Sequence, residues 1–357
     1  MSGDVYRRLA QRLDDIPNGF PVTESGVELE LLAKIFEPEE AALAAEMRQA
    51  PEPAEVIGAR VGVDPRTANR TLKAMVRKGQ IRAGRKDRKL VFGLMPFVVG
   101  IYEEQLPRMD EELAMLFERY YQEARGRLIG VSPPFHRVIP VDESIPTGIE
   151  IYPYERATEM LEGAKAWGVR DCICRVQQKL IGKGCDRPVE NCLVFAPVEG
   201  VFDHSEVTRA ITKGEAQRIL FEAEEAGLVH SPGNYRDGNY YICNCCTCCC
   251  ALLRNVAEFS IPTVIAKSDF VAVIDADLCA GCGDCVARCQ FGALALVEEL
   301  CLVDDGRCVG CGLCTTVCPT EALHLQRRAE GEVPPPPMTS KEWTAQRARA
   351  RGLTDAR

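Results

Sequence analysis

The chemistry of this chain is written in its cysteines. Cys279-x2-Cys282-x2-Cys285-x3-Cys289 recurs 29 residues later as Cys308-x2-Cys311-x2-Cys314-x3-Cys318-Pro319. Thiolates stepped every three residues can wrap one corner of a metal centre, and zinc ribbons do not use this spacing. The flanks repeat as well: Ile274-Asp275 corresponds to Val303-Asp304, and Ala293-Leu294 to Ala322-Leu323. Further upstream, Cys172, Cys174, Cys185 and Cys192 place four thiols in 21 residues, enough to close one tetrahedral site. Cys243, Cys245, Cys246, Cys248, Cys249 and Cys250 then put six thiols in eight positions, which no apolar core requires. Adjacent cysteines point in different directions on any backbone, so they cannot all bind one cluster. Some can complete the site begun at Cys172, some can hold a further cluster, and some can stay free as redox thiols.

All nineteen cysteines lie between Cys172 and Cys318 in a chain of 357 residues. Met1 to Asp15 carries no secretory apolar segment, and no apolar run approaches a membrane span. On these features the protein is expected in the reducing cytosol, where dense thiols read as metal ligands rather than disulfide partners. With 27% charged and 46% hydrophobic residues, the composition fits neither a disordered polymer nor a membrane protein.

Residues 263–330 closely resemble the bacterial two-cluster [4Fe–4S] ferredoxins. The resemblance implies crossed ligation: one cluster on Cys279, Cys282, Cys285 and Cys318, the other on Cys308, Cys311, Cys314 and Cys289. Gln290 departs from the pattern, standing where the first motif would carry proline. Cys301, between the motifs, reads as a small core residue. The Cys-x-Cys at 172–174 with the later Ile-Cys-Asn-Cys-Cys-x-Cys-Cys-Cys run resembles a group of anaerobe-type iron–sulfur proteins that set such a region before a ferredoxin domain. Beside that module, one or two further iron–sulfur clusters on the ten middle cysteines are favoured over zinc. His204 and His230, which flank the region, read as ordinary hydrogen-bonded residues.

The net charge of −9 hides an asymmetry, because residues 60–89 hold eleven basic residues against Asp64 and Asp87. Proline near the first turn opens a helix over Pro38–Met47, and a second runs from Ala54 to Val61. A third, capped by Asp64, runs from Pro65 to Lys78 with Ala68, Leu72, Met75 and Val76 inward. Ile81 begins a hairpin that turns over Gly84–Arg88 and returns through Leu90–Phe92. This order resembles a winged helix-turn-helix domain, which implies either DNA contacts from Asn69 and Arg70 or, the preferred reading, docking of an acidic partner.

The rest positions these parts. The expected architecture is α+β and multidomain: a winged-helix-like domain (1–100), a connecting helix (101–134), and a Cys-rich α/β domain (135–262). A ferredoxin-like domain (263–330) and a proline-rich linker with a docking tail (331–357) complete it. Helices are expected over Ile101–Arg125, Glu155–Trp167 and Lys213–Ala226, the last with Ala216, Ile219, Leu220 and Ala223 inward. Trp343 in the tail reads equally as part of a frayed end and as an anchor on a larger partner. The whole suggests a cytosolic multi-cluster electron carrier within a larger oxidoreductase complex. The alternatives are a redox-sensing winged-helix regulator and an oxidoreductase with its substrate site at Cys243–Cys250.

Overall fold

The computed structural model describes residues 2–127, 130–146, 151–259 and 261–353. They divide into two compact units, one within residues 1–128, 180–182 and 344–357 and the other within 129–179 and 183–343.

The first unit is helical with one hairpin. α1 (Ser2–Asp14), α2 (Val27–Ile35) and α3 (Pro38–Ala45) pack through Leu9, Leu13, Leu31 and Leu32, all excluded from solvent. α4 (Ala54–Val61) stops at Gly62, whose φ of 71° suits a residue without Cβ. α5 (Pro65–Arg77) begins as its sequence dictates: Asp64 accepts hydrogen bonds from the Arg66 and Thr67 amides at 3.0 Å, and Pro65 fills the first turn. Its inner face buries Ala68, Leu72 and Met75. β1 (Ile81–Lys86) and β2 (Lys89–Leu94) pair antiparallel, and the turn is only Asp87-Arg88, both at positive φ. It is therefore tighter than the five-residue turn expected from Gly84–Arg88.

The single helix expected over 101–125 is interrupted. Pro107 ends a 3-10 segment (Glu103–Arg108), and α6 (Glu111–Ala124) starts afresh, with Asp110 Oδ1 accepting from the Leu113 amide at 2.8 Å. α6 lies within the first unit, where it packs on α2 and buries Leu113, Leu116, Phe117 and Tyr120.

The second unit opens with β3 (His136–Arg137) and the short α7 (Ala157–Glu162). The helix expected to reach Trp167 ends at Gly163; Trp167 belongs instead to β4 (Ala166–Asp171). Gly168 lets this strand approach its neighbours closely, since a Cβ there would meet Thr208 Cγ2 at 2.3 Å. α8 (Ile173–Leu180), β5 (Glu190–Ala196), β6 (Arg209–Ile211), α9 (Lys213–Glu225), β7 (Val229–Pro232) and β8 (Tyr241–Cys245) follow. The strands form one antiparallel sheet in the order β6-β4-β5-β8-β7. α7 and α9 cover one face of it, packing Leu161, Ala216, Ile219 and Leu220 on Val169, Leu193, Phe195 and Ile242. Thr212 caps α9 by accepting from the Glu215 amide at 3.1 Å.

After α10 (Leu253–Phe259) and β9 (Ile265–Ala266), the two cysteine motifs fold as near copies of each other. β10 (Phe270–Ile274), α11 (Asp284–Arg288) and β11 (Leu294–Val297) make the first copy. β12 (Leu300–Val303), a turn and β13 (Leu323–Arg327) make the second. Each strand pairs with the other copy, β10 with β13 and β11 with β12. The repeated flanks do matching work: the Asp275 amide donates to Ala322 O at 2.8 Å, and the Asp304 amide to Ala293 O at 2.7 Å. Only the first motif carries a helix between its third and fourth cysteines.

α12 (Ser340–Ala350) forms the tail. In the second unit Trp343 is neither frayed nor presented to a partner. Its Nε1 donates to Pro134 O at 2.8 Å and its ring lies 5.6 Å from Phe135. The prolines before it lie along 236–237, where the Arg236 amide donates to Pro337 O at 2.9 Å. In the first unit Arg351 donates to the carbonyls of Asp14 and Ile16 and pairs with the Asp14 carboxylate. Among the described residues no helix is long and apolar enough to cross a membrane.

Candidate metal centres

In the ferredoxin-like region two cavities are lined by thiols. One is walled by Cys308, Cys311, Cys314 and Cys289, with Gly310 and Gly312 at its edge. The other is walled by Cys279, Cys282, Cys285 and Cys318. Three thiols come from one loop and the fourth from the opposite copy, because the fourth cysteine of each motif sits where its chain crosses to the other half. The donor set fits an iron–sulfur cluster: four soft ligands face the first cavity, and the same number from the motifs face the second, where Cys301 adds a fifth thiol to the lining. Gly310 makes the loop possible, since at φ 71° an added Cβ would lie 2.1 Å from Phe270 O.

Burial pushes the Cys311 thiol up to about 12 and raises Cys314 as well. Such thiols ionise only beside compensating positive charge, which is what a bound metal provides. Cys301 is buried in the core of this region, as its spacing suggested, yet it also lines the second cavity, 3.5 Å from Cys285 Sγ.

The middle cysteines separate into two groups. Cys185, Cys246, Cys248 and Cys249 bring their sulfurs within 4.8 Å of one another. The other six form a continuous chain of thiol contacts: Cys172 with Cys174, Cys174 with Cys250, Cys250 with Cys245, Cys245 with Cys243, and Cys243 with Cys192. The tetrahedral set expected from Cys172, Cys174, Cys185 and Cys192 is therefore not formed, because Cys185 lies with the other group.

The sheet explains the division. Leu193 pairs with Ile242 on the helix-covered face, so Cys192 and Cys243, one residue along on each strand, lie on the opposite face, and Cys245 follows at the two-residue period. Cys172 leaves β4 at the same end of the sheet, its amide donating to Val189 O at 2.8 Å. Cys246 leaves β8 into a turn that carries Cys246, Cys248 and Cys249 to Cys185. The Cys250 amide then bonds back to Cys246 O at 3.0 Å and delivers Cys250 to the six-thiol group.

Two arginines lie against the four-thiol group, and one of them, Arg175, also lies near Cys172 and Cys245 of the six-thiol group. Arg175 is fully buried; its Nη1 lies 3.6 Å from Cys246 Sγ, and its Nη2 donates to Asn244 O and to Asn191 Oδ1. Arg187 Nη1 lies 3.5 Å from Cys248 Sγ, at the exposed side of the group. Hydrogen bonds from Cys248 and Cys249, followed by the charge of Arg175, hold Cys246 far below the ordinary thiol range. The same contact raises Cys248 to about 11. Nothing in the cysteine spacing marks these arginines, although Arg175 follows Cys174 directly.

His230 is not among the thiols. Its two ring nitrogens face Asn244 Oδ1 at 2.7 Å and Glu224 Oε1 at 2.9 Å, on the helix-covered face of the sheet. At 136, a second buried histidine bonds Ser231 Oγ and the Tyr241 hydroxyl, and burial lowers it to about 3.

The family described as "4Fe-4S binding domain" matches residues 272–295 and 302–324, the two copies that wall the cavities. The match supports [4Fe–4S] clusters and an iron–sulfur electron-transfer role for this region. No curated protein and no solved structure matches the chain.

Proposed function

We propose that this chain is a multi-cluster iron–sulfur electron carrier, the ferredoxin-like subunit of a larger oxidoreductase assembly rather than its catalytic subunit. One observation supports the reading above the others: each of two cavities is lined by four motif cysteines, three from one motif and one from its repeat. An iron–sulfur cluster bound there supplies one-electron exchange. The protein's part is to hold, space and shield. Cys279, Cys282, Cys285 and Cys318 hold one cluster, and Cys308, Cys311, Cys314 and Cys289 the other. Cys282 is exposed, and in this reading the first set is the one that faces a redox partner. Cys308 and Cys314 of the second set are buried.

In the middle domain, Cys185, Cys246, Cys248 and Cys249 are the ligands of a third centre in this reading. Arg175 and Arg187 beside two of those sulfurs favour its reduced form, because positive charge stabilises an added electron. The exposed basic face of α5 and the β1–β2 hairpin, with Arg66, Arg70, Lys73, Arg85, Lys86 and Arg88, receives an acidic protein partner.

Anaerobic purification followed by iron and acid-labile sulfide counts and EPR of the reduced protein tests the reading. About eight irons per chain confine clusters to the ferredoxin-like region, and about twelve place a third in the middle domain. Colourless protein, or protein carrying only zinc, overturns it.

A further inference from the structure

Gln290 occupies the one position at which the first cysteine motif departs from its repeat, and the structure gives it work. Its Oε1 accepts from the Thr247 amide at 2.9 Å and lies 3.4 Å from the Thr247 hydroxyl, while its Nε2 donates to Gly227 O. Thr247 stands between Cys246 and Cys248, two of the four clustered thiols. Gln290 itself follows Cys289, which lines the cavity of Cys308, Cys311 and Cys314.

The residue on the other side of Cys289 grips the same turn. Arg288 donates to Glu225 O at 3.0 Å and to Glu224 O at 2.5 Å. That turn continues into Leu228, which packs with Ala223 against Cys246 and Cys249. At the corresponding place in the second copy, Pro319 and Thr320 are exposed, and Cys318 Sγ faces the Thr320 hydroxyl at 3.8 Å. The repeat thus supplies its own control: the copy with proline faces solvent, and the copy with glutamine is fastened to the thiol-bearing loop of the middle domain.

We propose that Gln290 is a positioning residue that joins the ferredoxin-like region to the four-thiol group and carries a bonded route for an electron between them. The route runs from Cys289 through its own backbone into the Gln290 side chain. It crosses one hydrogen bond to the Thr247 amide and reaches Cys246 and Cys248 through the peptide chain. A single electron passes from the cluster on Cys289 to the centre on Cys246 and Cys248; no bond breaks and no proton moves. This inference rests on the proposed third centre. Proline at 290 has neither the acceptor nor the donor that the junction uses.

The test compares wild-type protein with Q290P, which restores the ordinary motif, and with the milder Q290A, all purified without air. Iron content is counted first. The protein is then reduced by a flash of deazaflavin photoreductant, and electron redistribution between centres is followed by rapid-freeze EPR. Hydrogen exchange at the Thr247 amide reports the junction independently of any redox step.

The expected result is unchanged iron in both variants, faster exchange at Thr247, and redistribution slowed roughly tenfold or more, in line with the loss of a supporting contact next to a ligand. Faster exchange with redistribution at the wild-type rate overturns the route while leaving the third centre standing. A wild-type count of about eight irons overturns the third centre and the route together.

Discussion

The ferredoxin-like region and the middle domain solve the same problem in opposite ways. In the first, ligands far apart in sequence meet in one cavity, because each motif sends its last cysteine across to the other copy. In the second, neighbours in sequence part company: Cys245 and Cys250 join one group, while Cys246 and Cys249 beside them join the other. A repeated spacing can therefore announce its sites, whereas a dense run announces only that thiols are present. What divides the run is the pleat of β8 and the turn after it.

The sharpest way to break this comparison is to remove one middle group at a time. Replacing Cys246 and Cys249 by serine should cost about four irons per chain and leave the EPR of the ferredoxin-like region unchanged. Replacing Cys174 and Cys245 should leave the four-thiol centre in place. If either pair strips iron from both groups, the two are one site.

A smaller effect is expected from the crossing cysteines. Cys318→Ser should perturb the signal of the cluster held by Cys279, Cys282 and Cys285, and Cys289→Ser that of the cluster held by Cys308, Cys311 and Cys314. The reverse pattern, read by EPR during a potential titration, would show that each motif keeps its own fourth ligand.

His136 tests the frame beneath the middle thiols. Its folded value of about 3 lies below the unfolded 6.5, so the unfolded chain binds the extra proton between those values. Stability from this group is complete above pH 6.5 and is lost as pH falls toward 3, by up to about 1.4 kcal/mol per pH unit. His136→Gln should flatten that slope in urea unfolding measured across the window.

The smallest effect is expected at Arg187. Arg187→Gln should lower the midpoint potential of the four-thiol centre by something on the order of tens of millivolts, and leave the ferredoxin-like clusters unmoved. An equal shift in all centres would mean that the guanidinium acts at long range rather than on Cys248.

Much of this was legible before any coordinates. The Asp64 cap, the inward face of α9 and the paired flanks around Asp275 and Asp304 depend on near neighbours or on exact repetition, so spacing alone reveals them. The middle partition depends on strand register, which pairs Leu193 with Ile242 and so decides which face Cys192 and Cys243 share. Arg175 was invisible for a similar reason, because its partners Asn191, Asn244 and Cys246 come from other segments of the fold. Trp167 reads as helix from the residues before it, but Gly163 ends that helix and pairing with Phe195 and Ile211, which lie far along the chain, makes Trp167 part of a strand. Gln290 stood out as an exception without showing what it held.

Arg347 donates to Pro17 O at 3.3 Å, and Arg351 grasps the end of α1, so the helical unit is completed by residues made after every cysteine. During synthesis every cysteine leaves the ribosome before that unit can close. The cysteine-bearing segments are therefore free to fold before the amino-terminal helices receive their final strut.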